Sequence, residues 1–372
     1  MGHRALALAL TLAFVAGACS SGAPAARTIV DGPTHQINLA EQAPAGALVL
    51  EQSAASAAPA PPPAAPVADP APAVRAAGVR ADLPQVSHVW QTLNNCGPAS
   101  VVMALAAFDV AASQEVARLA LRGPDLRRGM PSAGVDPWVR EQFGLRSVVR
   151  TNGTNELMKR LLANGFTPIV TQWLEDPTRI AHDRLVRGYD DSMSAFLVND
   201  PMKGAAVPLS YSWFATNWQA FNYSYFVIYR PEDEALLRAV IGDDWNDRIM
   251  RARTYERAKV EARDQDSSAA WLFYGEAAYR FGMFEEAVAA FETGMSRGSP
   301  FGVFTVRSSY PLALLATGRA ADSDAAAGRL ANSSSTPFVR PTAVDPLALT
   351  LAAERLAERA AAAVAPSTAT IN

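Results

Sequence analysis

The chain has 372 residues, enough for two modest domains. Its formal net charge of -3 gives no electrostatic case for nucleic acid or an anionic surface as partner. Its two cysteines, Cys19 and Cys96, exclude a framework of structural disulfides.

Residues 1–18 read as an export signal. Arg4 supplies the positive start, Ala5 to Val15 an apolar run, and Ala16-Gly17-Ala18 the small residues of a cleavage site just before Cys19. The apolar run is too short for a stable transmembrane helix. A cysteine in this place resembles the lipobox of bacterial lipoproteins, with Ala16 where leucine is usual. The resemblance implies a lipidated Cys19, a membrane anchor and an extracytoplasmic location in the bacterial cell envelope. Residues 19–82 are rich in Ala, Pro, Ser and Gly and cannot bury enough apolar area to offset their ordering entropy. They read as an extended tether.

Residues 83–231 have globular texture. Cys96 to Phe108 is almost continuously apolar, as in a helix buried on most faces. Ser113 caps a second helix reaching Leu121. Asp136-Pro137 opens a third that Gly144 closes, and Thr154 and Gly165 bracket a fourth. Strand patterns follow at Thr167–Trp173, Arg184–Tyr189, Ala195–Asn199 and Tyr225–Tyr229. Helices first and an antiparallel sheet after them define an α+β domain.

Residues 232–335 are helical in texture. Trp271, Tyr274, Gly275, Ala278, Gly282, Ala287 and Phe291 resemble a tetratricopeptide repeat of about 34 residues. Its glycine and alanine positions are where two helices approach closely. Ser309 to Leu330 reads as a degraded second copy. Residues 336–372 form a last helix, Asp345 to Val364, and a tail.

The stretch from Gln91 to Ser100 carries the chemistry. A thiol opening a buried helix meets the positive end of the helix dipole, which favours the reactive thiolate. Gly97 permits close approach of a substrate backbone, and Pro98 suits a first helical turn. The Gln91 side-chain amide and the backbone N–H of Cys96 are candidate oxyanion donors. Such a nucleophile needs a base. Of the two histidines in this region, His88 precedes the cysteine closely, and His182 follows it on the approach to the sheet. Asp200, at the end of the next strand, is a candidate to orient the imidazole. Three nearby acids, Asp183, Asp190 and Asp191, read as a solvated turn rather than a calcium site.

Gln91 to Ser100, His182 followed by Gly188-Tyr189-Asp190-Asp191, and Asn199-Asp200-Pro201 together resemble the peptidase C-39-like family over roughly residues 84 to 230. The resemblance implies a papain-like fold, Cys96 as nucleophile, His182 as base and acid, Asp200 as orienter and Gln91 in the oxyanion hole. It implies a peptide or protein substrate and no cofactor or metal. Two features depart from the family pattern. Charged Asp183-Arg184 follow the histidine where apolar residues are usual, and the Gln91-to-Cys96 gap is one residue shorter than in leader peptidases. The charged pair beside His182 and the helical repeat leave open a second reading, a retired peptidase that binds peptides, with the repeat as a surface for a protein partner.

Overall fold

The computed structural model describes residues 72–126, 128–175, 180–298, 304–332 and 343–364. The export signal, Cys19 and the tether up to residue 71 lie outside the described residues. No described helix is long and apolar enough to cross a membrane.

The tether gives way to structure earlier than its composition suggests. The Asn164 side chain bonds both the N–H and the C=O of Arg75. Strand β1 (Arg80–Asp82) pairs with the distal end of β4. Helices α1 (Cys96–Ala106), α2 (Gln114–Leu121) and α3 (Val135–Phe143) follow. Ser113 caps α2 by accepting the Val116 N–H at 3.1 Å, and Gly144 ends α3 in the left-handed region at φ 67°. Strand β2 (Arg146–Arg150) then precedes α4 (Asn155–Ala163), so the helices are not all ahead of the sheet. Strands β3 (Ile169–Trp173), β4 (Ala181–Asp190), β5 (Ala195–Asp200) and β6 (Gly204–Ser210), helix α5 (Tyr211–Gln219) and strand β7 (Tyr225–Tyr229) complete the α+β part.

The sheet runs β2-β7-β3-β4-β5-β6 and every pairing in it is antiparallel. Side chains alternate between its faces. Ile169, Leu185, Phe226 and Ile228 meet Val101, Met103, Leu105, Ala117 and Val139 from α1 to α3. Val170, Val186, Val198 and Val227 face the other way, onto Leu161, Phe214 and Trp218 of α4 and α5. α1 has no strongly polar face because strand residues and neighbouring helices cover nearly all of it.

The second core continues without a break into the helical region. There α6 (Glu234–Ile241), α7 (Asp247–Gln265), α8 (Ser268–Arg280), α9 (Phe284–Ser296), α10 (Phe304–Ala316), α11 (Ala320–Asn332) and α12 (Pro346–Val364) follow in order. Tyr223 stacks edge-on against Phe273 at 5.4 Å and lies 3.5 Å beneath the Arg257 guanidinium. Glu261 accepts from the Tyr223 hydroxyl at 2.9 Å and from Gln219 Nε2 at 2.6 Å. The α8–α9 pair makes the close approach expected of its small residues: a Cβ on Gly275 would lie 2.7 Å from the fully buried Phe291 ring. Gly275→Ala is expected to cost about 1–3 kcal/mol, the range for overpacking a tight core. Urea unfolding of the variant measures it, and an unchanged midpoint contradicts the packing described.

Candidate active site

The N-terminus of α1 is held from two sides. Asn95 is wholly buried, and instead of capping the helix with its side chain it receives the Arg122 guanidinium on Oδ1. Arg122 also donates to the carbonyls of Leu126 at 2.6 Å and Arg128 at 2.7 Å, which ties the segment after α2 to the start of α1. Cys96 opens the helix in a partly buried position. The backbone N–H groups of Gly97 and of Asp183, the residue directly after His182, lie close enough to its sulfur to favour the thiolate.

The expectation of an acidic thiol does not hold at this helix end. Burial, together with the adjoining Asp183 carboxylate, pushes the Cys96 thiol up to about 12, against the smaller help of the two N–H groups and the Arg122 charge. Asp183 shares the α1-facing side of β4 with Leu185. Its Oδ2 lies 2.8 Å from where a Gly97 Cβ would stand, and its Oδ1 accepts the Thr171 hydroxyl at 2.6 Å. Burial also pushes the Asp183 carboxyl itself up, with the Thr171 bond opposing.

His182 lies within β4 rather than ahead of it. Successive strand residues leave opposite faces, so it shares the other side with Arg184 and Val186. There His182 Nε2 and Asp200 Oδ1 are 2.8 Å apart, with both residues almost entirely shielded from solvent. Asp200 Oδ1 also accepts the N–H groups of Met202 at 2.8 Å and Lys203 at 3.1 Å. Its Oδ2 takes the Arg184 Nε at 2.8 Å. Burial alone raises the Asp200 carboxyl, but the hydrogen bond and charge of His182 and the charge of Arg184 outweigh it. They hold the group well below the usual carboxylate range. The bond through Nε2 leaves His182 Nδ1 as the ring nitrogen available for proton transfer.

The structure thus joins His182 to Asp200 and brings Cys96 against the next residue of the same strand. Among the described hydrogen bonds none links the thiol to the imidazole. Gln91 is drawn to the same corner by its N–H, which bonds the Pro201 carbonyl at 2.9 Å. Its side-chain oxygen is buried and accepts no hydrogen bond among the described residues. His88, set aside on sequence order, contacts this turn as well: its Nε2 is 2.8 Å from the Asp200 carbonyl oxygen. On the outer side of the turn an open groove of about 490 Å³ is lined by Glu175, Lys203, Leu209, Ser210 and Trp213 among others. Trp213 therefore faces a groove, whereas Trp218 and Phe221 belong to the core. Asp190 and Asp191 bond Ser192, Lys159 and Tyr211 in an ordinary hairpin turn.

Sequence comparison matches residues 83–226 to the Peptidase_C39 like family. No curated protein matches the chain. Among solved structures, a Bacillus anthracis protein described as a C39-like peptidase aligns at 12% identity and a TM-score of 0.34, covering 41% of this chain and 98% of that one. The peptidase domain of Streptococcus ComA, a bi-functional ABC transporter involved in a quorum sensing pathway, aligns at 16% identity and a TM-score of 0.33. That alignment covers 39% of this chain and 98% of the other. The stretch that carries Gln91, Cys96, His182 and Asp200 lies within the residues that match this family.

Proposed function

We propose that the protein is a cysteine peptidase that cleaves peptide amide bonds with Cys96 as nucleophile, His182 as general base and acid, and Asp200 as orienter. The observation that carries this reading is the buried pair of His182 Nε2 and Asp200 Oδ1 at 2.8 Å, on the strand whose next residue, Asp183, adjoins the Cys96 thiol. Because the resting thiol is protonated, attack couples to proton removal: His182 Nδ1 takes the thiol proton as sulfur adds to the carbonyl carbon. The same proton passes to the departing amine, and water then hydrolyses the thioester with His182 as base. The thiol–imidazole contact tightens as an electrophile engages the sulfur, as catalytic hydrogen bonds commonly do. Gln91 and the Cys96 N–H serve the oxyanion. Lipidation of Cys19 anchors the enzyme at the outer side of a bacterial membrane, a part of the proposal that rests on the sequence alone. So does the assignment of the helical region as a tetratricopeptide-like surface for a protein partner.

A test is the digestion of a mixed peptide library, read by mass spectrometry. The full chain is expected to cut, and Cys96→Ala to lose at least about a thousandfold in rate. Equal cutting by the two would remove Cys96 from the chemistry. A second reading, a retired peptidase that binds peptides, draws on the thiol pushed up to about 12. It expects saturable peptide binding by wild type and Cys96→Ala alike, with no cleavage by either.

A further inference from the structure

We propose that Arg184 is a positioning residue for the triad: its guanidinium holds Oδ2 of the Asp200 carboxylate so that Oδ1 stays directed at His182. The inference rests on the peptidase reading and goes beyond the residues that reading names.

Arg184 is among the largest side chains with no solvent exposure, although it stands in a strand position where an apolar residue would satisfy the core. Each nitrogen of its planar fork has an acceptor. Nε meets Asp200 Oδ2 at 2.8 Å, Nη1 meets the Trp173 carbonyl at 3.1 Å, and Nη2 meets the Leu174 carbonyl at 2.8 Å. Gln172 Oε1, 3.4 Å from Nη1, adds a fourth acceptor, and Gln172 is itself fixed to the Phe214 carbonyl at 2.8 Å. The Trp213 ring covers the guanidinium at 5.3 Å. Arg184 is therefore anchored to the end of β3 and to α5 independently of Asp200. It offers Asp200 a fixed partner rather than following it.

Two consequences concern the imidazole. A carboxylate held on Oδ2 by Arg184, with the Met202 and Lys203 N–H groups on Oδ1, has no rotational freedom left, so the His182 ring direction is set. An ionised Asp200 accepts only, so Nε2 of a neutral His182 must carry the proton and Nδ1 must be the basic nitrogen. Lysine keeps the charge but lacks the fork and cannot hold the same set of acceptors.

The test uses the full chain with Cys19→Ala, so that Cys96 is the only thiol. Iodoacetamide alkylation of Cys96 is compared with and without His182→Ala in each Arg184 background. In the parent, His182→Ala is expected to slow alkylation roughly tenfold or more, through loss of the base. In Arg184→Met the two rates are expected to converge, and Arg184→Lys to restore part of the difference. Nitrogen-15 spectra of labelled histidine add a readout that a purely structural role would not move: His182 protonated on Nε2 in the parent, and a tautomer mixture in Arg184→Met. Retention of the parental ratio and spectrum by folded Arg184→Met overturns the inference and leaves the triad standing. Should that variant fail to fold, Arg184→Lys carries the same test. An Arg184→Lys chain indistinguishable from the parent in ratio and spectrum again overturns the inference. A parent indifferent to His182→Ala overturns both the inference and the peptidase reading.

Discussion

Asp200→Ala is expected to cost about 3–5 kcal/mol of stability at neutral pH, the range for removing one partner of a buried ion pair. The loss arises less from the bonds broken than from what remains: the Arg184 guanidinium, without solvent exposure, facing neutral acceptors and an imidazole. The double variant Arg184→Met/Asp200→Ala is expected to recover part of the loss, since it leaves no uncompensated charge. Urea unfolding of the three chains measures both effects, and a cost below about 1 kcal/mol for Asp200→Ala would show the pair to be exposed or absent. The pH dependence has a defined sign. Asp200 is depressed in the folded chain, so its contribution is complete above the unfolded value of about 3.9 and fades as pH falls towards the folded value. Asp200→Ala therefore flattens the acid limb of the stability curve and leaves its shape above about pH 5 unchanged.

Asp183→Asn is expected to make Cys96 more reactive, not less. The carboxylate adjoins Gly97 and the thiol, and its charge opposes formation of the thiolate. Its removal lowers the thiol from about 12. A drop of about one unit multiplies the thiolate fraction, and with it alkylation at pH 8, about tenfold. Iodoacetamide kinetics on the Cys19→Ala chain read this directly. A slower reaction in Asp183→Asn would make Asp183 itself the base for the thiol and would demote His182. The folded state is also expected to lose less stability as pH rises from the acid side. Asp183 and Cys96 both titrate higher folded than unfolded, so the native chain loses stability as pH rises above about 3.9 for Asp183 and, separately, above about 8.5 for Cys96. Asp183→Asn removes one of those two losses.

These two acids show how far the sequence could be read. Cys96, His182 and Asp200 were legible because each has distinctive neighbours: an apolar helix after Asn95-Cys96-Gly97-Pro98, a Gly188-Tyr189 pair after the histidine, and a proline after Asp200. The Asp183-Arg184 pair read as a disturbance of the strand. Its meaning depends on cross-strand pairing. Leu185 opposite Asn199 brings Arg184 beside Asp200, while Asp183 turns towards α1 on the other face. No local pattern encodes that. β2 and β6 were missed for a related reason. Arg146 and Arg150 end one strand with charge, and Gly204, Pro208 and alternating exposure mark the other as an edge. Helices α2, α3 and α4 were legible by their end signals, Ser113, Gly144 and Thr154 among them, and α1 by its apolar run. The shared core was not, because α7 is charged on nearly every turn and shows in sequence no sign of the Tyr255, Ala258 and Ala262 face it buries.

The strand β1 has a mechanical consequence. It is three residues long and runs antiparallel to β4, with Arg80 opposite Asp190, Ala81 opposite Tyr189 and Asp82 opposite Gly188. The Arg187–Asp82 ion pair at 2.8 Å and the Tyr189 hydroxyl on the Gly78 carbonyl at 2.9 Å reinforce the junction. A pull on the chain ahead of residue 75 meets the two Asn164 bonds to Arg75 before it reaches this junction. It also enters β4 at the end remote from His182, so tension on the upstream chain is absorbed before it reaches the imidazole.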